Sequence, residues 1–161
     1  MNSIVVVSSY HHKNTEKVAA RIAAVLSCRY APPQEIIPQE LSDYDLVGFG
    51  SGIYDARHHE RLLALADELP QVNGKKAFLF STDGTPRALM KNDTILHDKM
   101  LRDHAPLREK LQAKGYVIVG EWGCAGFNTN AFLKYFGGIN KGRPDARDLA
   151  LAEEFACRIM N

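Results

Sequence analysis

Residues 4–26 read IVVVSSYHHKNTEKVAARIAAVL, and their reading decides the fold. Ile4, Val5, Val6 and Val7 form an unbroken β-branched run, suited to a strand buried on both faces. Ser8 to Lys13 interrupt it with polar residues, and from Thr15 onward Val18, Ile22, Val25 and Leu26 recur at helical spacing. The stretch is therefore a strand, a polar loop and a helix. Such a loop directs hydroxyls, imidazoles and backbone N–H groups at whatever occupies the helix N-terminus, a natural seat for a phosphate.

The rest of the chain repeats this unit. Glu35-Ile36-Ile37-Pro38 reads as a short second strand, Asp45–Gly50 as a third, Lys76–Ser81 as a fourth and Tyr116–Trp122 as a fifth. Between them lie helices over about His58–Leu69 and Thr94–Lys114. The second is interrupted near Pro106 and capped by Gly115, and a last helix runs from about Asp145 to Ile159. Alternating strands and helices give an α/β sandwich of three layers. The chain reads as a single domain over residues 1–161, with its five-stranded parallel sheet taken in the order 2-1-3-4-5, one of the orders that alternation allows. Ligands of such sheets bind beyond the strand carboxyl ends, where strand order reverses. The loops Ser8–Thr15, Ser51–Arg57 and Thr82–Arg87 all leave strand carboxyl ends and would line one crevice.

Composition removes several classes of function. The 161 residues are 45% hydrophobic and 24% charged, a globular balance, and the net charge of +1 offers no basic field for nucleic acid. Cys28, Cys124 and Cys157 lie far apart and form no C-x-x-C, as expected of reduced thiols in a cytoplasmic protein. No apolar stretch approaches the roughly 20 residues that span a bilayer, and no signal peptide is expected. His11-His12 and His58-His59 are adjacent pairs whose side chains point apart, so no metal site is expected.

In the first loop Ser9, His11, His12, Asn14 and Thr15 can converge on a phosphate without a metal. The loop lacks the Gly-Lys-Ser/Thr of a nucleotide-hydrolysing P-loop. Equally, Asn14 or Thr15 could simply cap the helix. In the second loop Gly50 and Gly52 permit close backbone approach, and Ile53 and Tyr54 can either cover a planar ring or fold back on the core. In the third, Thr82, Asp83 and Gly84 offer polar atoms at a strand end, or no more than an Asp-Gly turn.

Taken together the three loops resemble the flavodoxin family. Tyr10-His11-His12-Lys13-Asn14-Thr15 occupies the place of that family's phosphate loop, Ser/Thr-x-Thr-Gly-Asn-Thr. Asn14 and Thr15 match, His11 and His12 replace hydroxyl residues, and Lys13 replaces the glycine. GSGIY (50–54) and FSTDG (80–84) look like the two flavin-ring loops, and the Gly-rich stretches 120–127 and 137–142 resemble a branch of single-domain flavodoxin-like proteins.

The resemblance implies non-covalent FMN. Its phosphate would lie on Ser9–Thr15, its ring under Ile53 and Tyr54, and its edge against Thr82, Asp83 and Gly84. Gly50 or Gly52 becomes the candidate for a flexible peptide at ring N5. It further implies an electron carrier between redox partner proteins or small-molecule acceptors, as a monomer or homodimer. The runner-up is an FMN-dependent oxidoreductase such as an NAD(P)H:quinone reductase or a protoporphyrinogen-type oxidase. A carrier needs no acid–base residue, so Asp83 and His58 read as solvated loop residues, or as proton donors if the chain runs hydride or quinone chemistry. A phosphorylatable receiver is set aside, because Ser8-Ser9 and Gly50-Ser51 stand where it needs acids.

Overall fold

The computed structural model describes residues 1–10, 12–86 and 92–160, with only the backbone described for Ala131 and Phe132. The expected strand–loop–helix is present as β1 (Ser3–Ser8) and α1 (Asn14–Val25). Every residue of β1 is buried, as its run of β-branched side chains requires of a strand covered on both faces. The other strands are β2 (Arg29–Ala31), β3 (Leu46–Tyr54), β4 (Arg57–His58), β5 (Lys76–Asp83) and β6 (Val117–Ala125). The remaining helices are α2 (Glu60–Glu68), α3 (Asp93–Ala113) and α4 (Ala146–Met160).

The sheet order is β2-β1-β3-β5-β6, parallel throughout, with the two-residue β4 attached antiparallel to β3 alone. Leaving β4 aside, the five principal strands take the expected order 2-1-3-4-5. Residues alternate between two cores, as a period of two dictates. Val5, Val7, Phe78 and Phe80 pack with α1 and α4 on one face. Ile4, Val6, Phe49 and Leu79 pack with α2 and α3 on the other. Gly50 serves this packing. A Cβ there would sit 2.1 Å from the ring of Phe80, so the glycine makes room for an aromatic neighbour rather than for motion.

Several boundaries depart from expectation, among them the end of β5, which runs two residues past Ser81 to Asp83. The second strand is Arg29–Ala31, not 35–38, which instead lies between and at the start of two 3₁₀ turns, Pro33–Glu35 and Pro38–Asp43. Each turn begins on a proline, whose fixed φ suits a helical first position and whose missing N–H weakens a strand. α3 runs unbroken for 21 residues through Pro106, accepting one lost hydrogen bond, and Gly115 (φ +88°) closes it as expected. The loop expected over Ser51–Arg57 is mostly strand. β3 continues to Tyr54, turns on Asp55 and Ala56, both at positive φ (49° and 58°), and returns as β4. β6 extends to Ala125, three residues beyond the expected Trp122. No helix among the described residues is long and apolar enough to cross a membrane.

Candidate functional site

The register places Ser8, Ser51, Ser81 and Gly123 in one row across β1, β3, β5 and β6, and Gly52, Thr82 and Cys124 in the next. Beyond these rows the three polar loops meet, against the start of α1. Ser9, Tyr10, Asn14 and Thr15 from the first loop share one small crevice with Gly52, Ile53 and Tyr54 from the second and Thr82 and Gly84 from the third. Thr15 and Thr82, both buried, join the first and third loops through a hydroxyl–hydroxyl bond of 2.8 Å.

The helix start is built under strain. His12 and Lys13 both adopt left-handed backbone (φ 54° and 53°), and Lys13, where glycine was expected from the resemblance, is the N-cap. Neither Asn14 nor Thr15 caps the helix. The Ser9 hydroxyl instead accepts the N–H of Glu16 at 3.2 Å. Lys13 does not line the crevice. Its ammonium reaches Glu16 at 3.7 Å and is largely solvated. His11 lies outside the described residues.

A fourth element completes the site: Gly126, Phe127, Asn128 and Asn130, which follow β6 in a stretch that the sequence marks as Gly-rich without assigning these residues to the site. Two bonds pin it down. Asn14 Nδ2 donates to the Phe127 carbonyl at 2.9 Å, and His12 Nε2 meets Thr129 Oγ1 at 2.8 Å, with the His12 and Phe127 rings 4.5 Å apart. A Cβ on Gly126 would lie 2.9 Å from Asn14 Nδ2, so only glycine passes there without displacing it. Asn128 also bridges Ile139, closing residues 129–138 into an excursion anchored at the crevice. The crevice thus encloses only about 50 Å³, too little for a planar ring, while Asn14 Oδ1 is buried with no donor among the described residues. The donor set suits a phosphate ester and its sugar hydroxyls. The ring has room only once the Phe127 segment or the outer Tyr54 side gives way.

Asp83 lies elsewhere. One residue beyond Thr82, it faces α3, where it accepts from Thr85 N (3.0 Å), Thr85 Oγ1 (2.7 Å) and Lys99 Nζ (2.9 Å). Burial pushes its carboxyl up, but the Lys99 ammonium and Thr85 outweigh that and hold it below the usual range. His58 is not a solvated loop residue but fully buried. Ser51 Oγ donates to the Gly52 carbonyl (2.7 Å), so the 2.8 Å contact with His58 carries the proton on Nδ1 and leaves Nε2 buried without a partner among the described residues. His58 stacks at 4.6 Å on His104. His104 Nδ1 donates to Glu121 Oε2 (2.9 Å) and its Nε2 accepts from Ser81 (2.9 Å), while Arg108 holds Glu121 Oε1 at 2.7 Å. Burial, then the neighbouring His104, drives His58 well below the ordinary histidine range. Burial raises Glu121, yet His104 and Arg108 hold it low.

Beside this network a cavity of about 560 Å³ opens between α3, β6 and α4, lined by Ser81, Asp83, Glu121 and Trp122 and touching the crevice at Ile53. Trp122 packs half-buried at 6.4 Å from Phe155, and none of the three cysteines is in a disulfide.

Comparison with known proteins agrees with this architecture. The model of a flavodoxin domain matches residues 4–119. An uncharacterized protein of Methanocaldococcus jannaschii is 40% identical over 160 residues, 99% of each chain. Oxidised flavodoxin 2 of Bacillus cereus superposes with a TM-score of 0.69 at 16% identity, over 99% of this chain and 98% of that one. A Fusobacterium nucleatum flavodoxin bound to flavin mononucleotide gives 0.66 at 12% identity, over 99% and 98%.

Proposed function

The chain belongs to the flavodoxin family, and on that premise we propose that it binds FMN non-covalently and passes electrons between redox partners, as one flavodoxin-like domain working in the cytoplasm. The observation that carries the reading is the convergence of three strand-end loops on the start of α1, tied by the Thr15–Thr82 bond. Bound there, FMN supplies one- and two-electron transfer, and the protein supplies position, polarity and shielding. Ser9, Thr15 and the first N–H groups of α1 would hold the phosphate, with the helix dipole favouring the dianion. Asn14 Oδ1 suits a ribityl hydroxyl, since a buried acceptor without a donor is costly. Ile53 and Tyr54 would cover the ring, and Gly52, not the packing glycine Gly50, offers the flexible peptide. The related flavodoxin of Fusobacterium nucleatum was solved with flavin mononucleotide, which supports the choice of ligand.

The test is direct. The purified protein is titrated with FMN in a calorimeter and its visible spectrum recorded. A yellow complex with micromolar or tighter affinity is expected. A preparation that stays colourless after soaking in FMN, with no heat of association, ends this reading.

A second reading, an FMN-dependent oxidoreductase using NAD(P)H and a quinone or protoporphyrinogen-type substrate, draws support from the 560 Å³ cavity that meets the crevice at Ile53. Rapid bleaching of the holoprotein by NADPH, followed by turnover with a quinone, would favour it over a carrier.

A further inference from the structure

The excursion after β6 presents its aromatic side chains outward. Tyr135 is 77% exposed and Phe136 81%, the two most exposed of the large apolar side chains described. Both lie in a 3₁₀ turn, Ala131–Phe136, that Gly137 closes in left-handed backbone. The crevice residues Asn128 and Asn130 lead into that turn. Asn140 Nδ2 then ties the chain leaving it to the Thr85 carbonyl of the third loop at 2.9 Å. Lys134 Nζ lies 5.0 Å from the centre of the Tyr135 ring. Across the crevice the pairing recurs. Arg61 stands 5.3 Å above Tyr10, which is 53% exposed and stacked on His59 at 5.1 Å.

The charge of the excursion has one sign, whereas across the crevice Glu16, Asp55 and Glu60 stand among Tyr10, Arg57 and Arg61. No acid occurs between Glu121 and Asp145, where Lys134, Lys141 and Arg143 lie, and none occurs before Glu16. Arg143 is already committed to Asp148, which leaves Lys134 and Lys141 for an outside partner. Exposed aromatics beside unneutralised cations suit an interface that has an apolar centre and a charged margin. Two lysines are too few for an anionic bilayer, where clusters of about four to eight are usual.

We propose that the Lys134–Lys141 side of this rim docks an acidic redox protein, whose carboxylates meet Lys134 and Lys141 while an apolar spot covers Tyr135 and Phe136. The inference rests on the electron-carrier reading and adds the chemistry of the partner. Docking there sets the partner directly over the crevice, and the field of the rim orients it before contact.

The test measures electron exchange between the FMN-loaded chain and two probes, an acidic [2Fe–2S] ferredoxin and a basic cytochrome c, from low to high salt. With the ferredoxin the second-order rate is expected to fall about tenfold as salt screens the attraction, and with cytochrome c to stay level or rise. The double variant Lys134→Glu/Lys141→Glu should lose about tenfold with the ferredoxin at low salt and gain with cytochrome c. Tyr135→Ser/Phe136→Ser should lower the ferredoxin rate at every salt concentration. FMN affinity, measured separately, should be unchanged in all variants. Backbone amide shifts of the flavin-free chain on adding the ferredoxin should cluster at residues 133–142, a readout that survives if FMN binding itself fails. A ferredoxin rate that rises with salt, or charge-reversed variants that match the parent, overturns the proposal. Binding to phosphatidylserine vesicles that the same variants abolish, with no amide shifts from the ferredoxin, overturns it in favour of a membrane surface.

Discussion

The two sides of the sheet's carboxyl end use polar residues in opposite ways. On the α3 side polar side chains are spent on one another, Ser51 with His58, Ser81 with His104, His104 and Arg108 with Glu121, and Lys99 with Asp83 and Asp103, leaving only His58 Nε2 of this set buried with no partner among the described residues. On the α1 side, Ser9, Asn14, Thr15 and Thr82 are bonded sparingly around a space, and one buried acceptor, Asn14 Oδ1, has no donor among the described residues. Adjacent residues of the same strands feed both, Ser81 one side and Thr82 the other. A densely paired network fixes a scaffold, whereas sparse pairing beside a helix start keeps bonding capacity for a ligand.

If the α3-side network is the scaffold, removing its anion is the most damaging single change. Glu121→Ala leaves His104 Nδ1 and Arg108 without their shared partner in a largely buried place. A loss of about 3–5 kcal/mol in urea denaturation is expected, because breaking a buried pair strands the opposite charge. A loss under about 1 kcal/mol would mean that solvent already reaches the network. The same network should make the fold sensitive to mild acid. The folded chain keeps His58 neutral to a lower pH than the unfolded chain does, so below about pH 6.5 unfolding takes up a proton and stability falls with pH. Asp83 and Glu121 are held low. Their contribution is present above the ordinary carboxylate range and is lost only at lower pH, as pH drops through their depressed values. Denaturation midpoints against pH should therefore decline in two stages, and His58→Gln should remove the upper one.

The crevice side should respond more weakly in stability and more strongly in ligand binding. Thr15→Val removes the Thr82 bond while keeping the shape, so about 1 kcal/mol of stability is expected to go, with roughly tenfold in FMN affinity. Loss of stability without loss of affinity would move this residue into the scaffold class.

How much of this could be read from the chain follows from the same alternation. IVVV and the helix after it were legible because strand and helix periods change abruptly at Ser8, and the register then carried three loops to one place. Asp83 was grouped with Thr82 because β5 was ended at Ser81. Extending it two residues puts Phe78, Phe80 and Thr82 on one face and Asp83 on the other. His58 looked solvated because β4 has only two residues, too short for any period, and its burial depends on α3, some 46 positions away along the chain. Ile36-Ile37 outweighed Arg29–Ala31 as a strand on propensity alone, although neighbouring prolines favoured turns. Phe127 and Asn128 carry no periodic signal at all. Only the bonds from His12 and Asn14 place them.

The smallest effect separates strain kept for a site from strain without one. Lys13 at the head of α1 and Ala56 in the β3–β4 turn both hold left-handed backbone, at φ 53° and 58°. Glycine at either position removes a steric cost of roughly 1 kcal/mol, partly offset by the greater freedom of the unfolded chain. Ala56→Gly should therefore raise the thermal midpoint by a degree or two and leave FMN affinity unchanged, since that side chain does not line the crevice. Lys13→Gly should give a similar rise but weaken FMN binding a few-fold by removing a cation near the phosphate, and the loss should shrink at high salt. If the two substitutions behave alike in affinity, Lys13 acts only through its backbone, and the departure from the family's glycine has no electrostatic purpose.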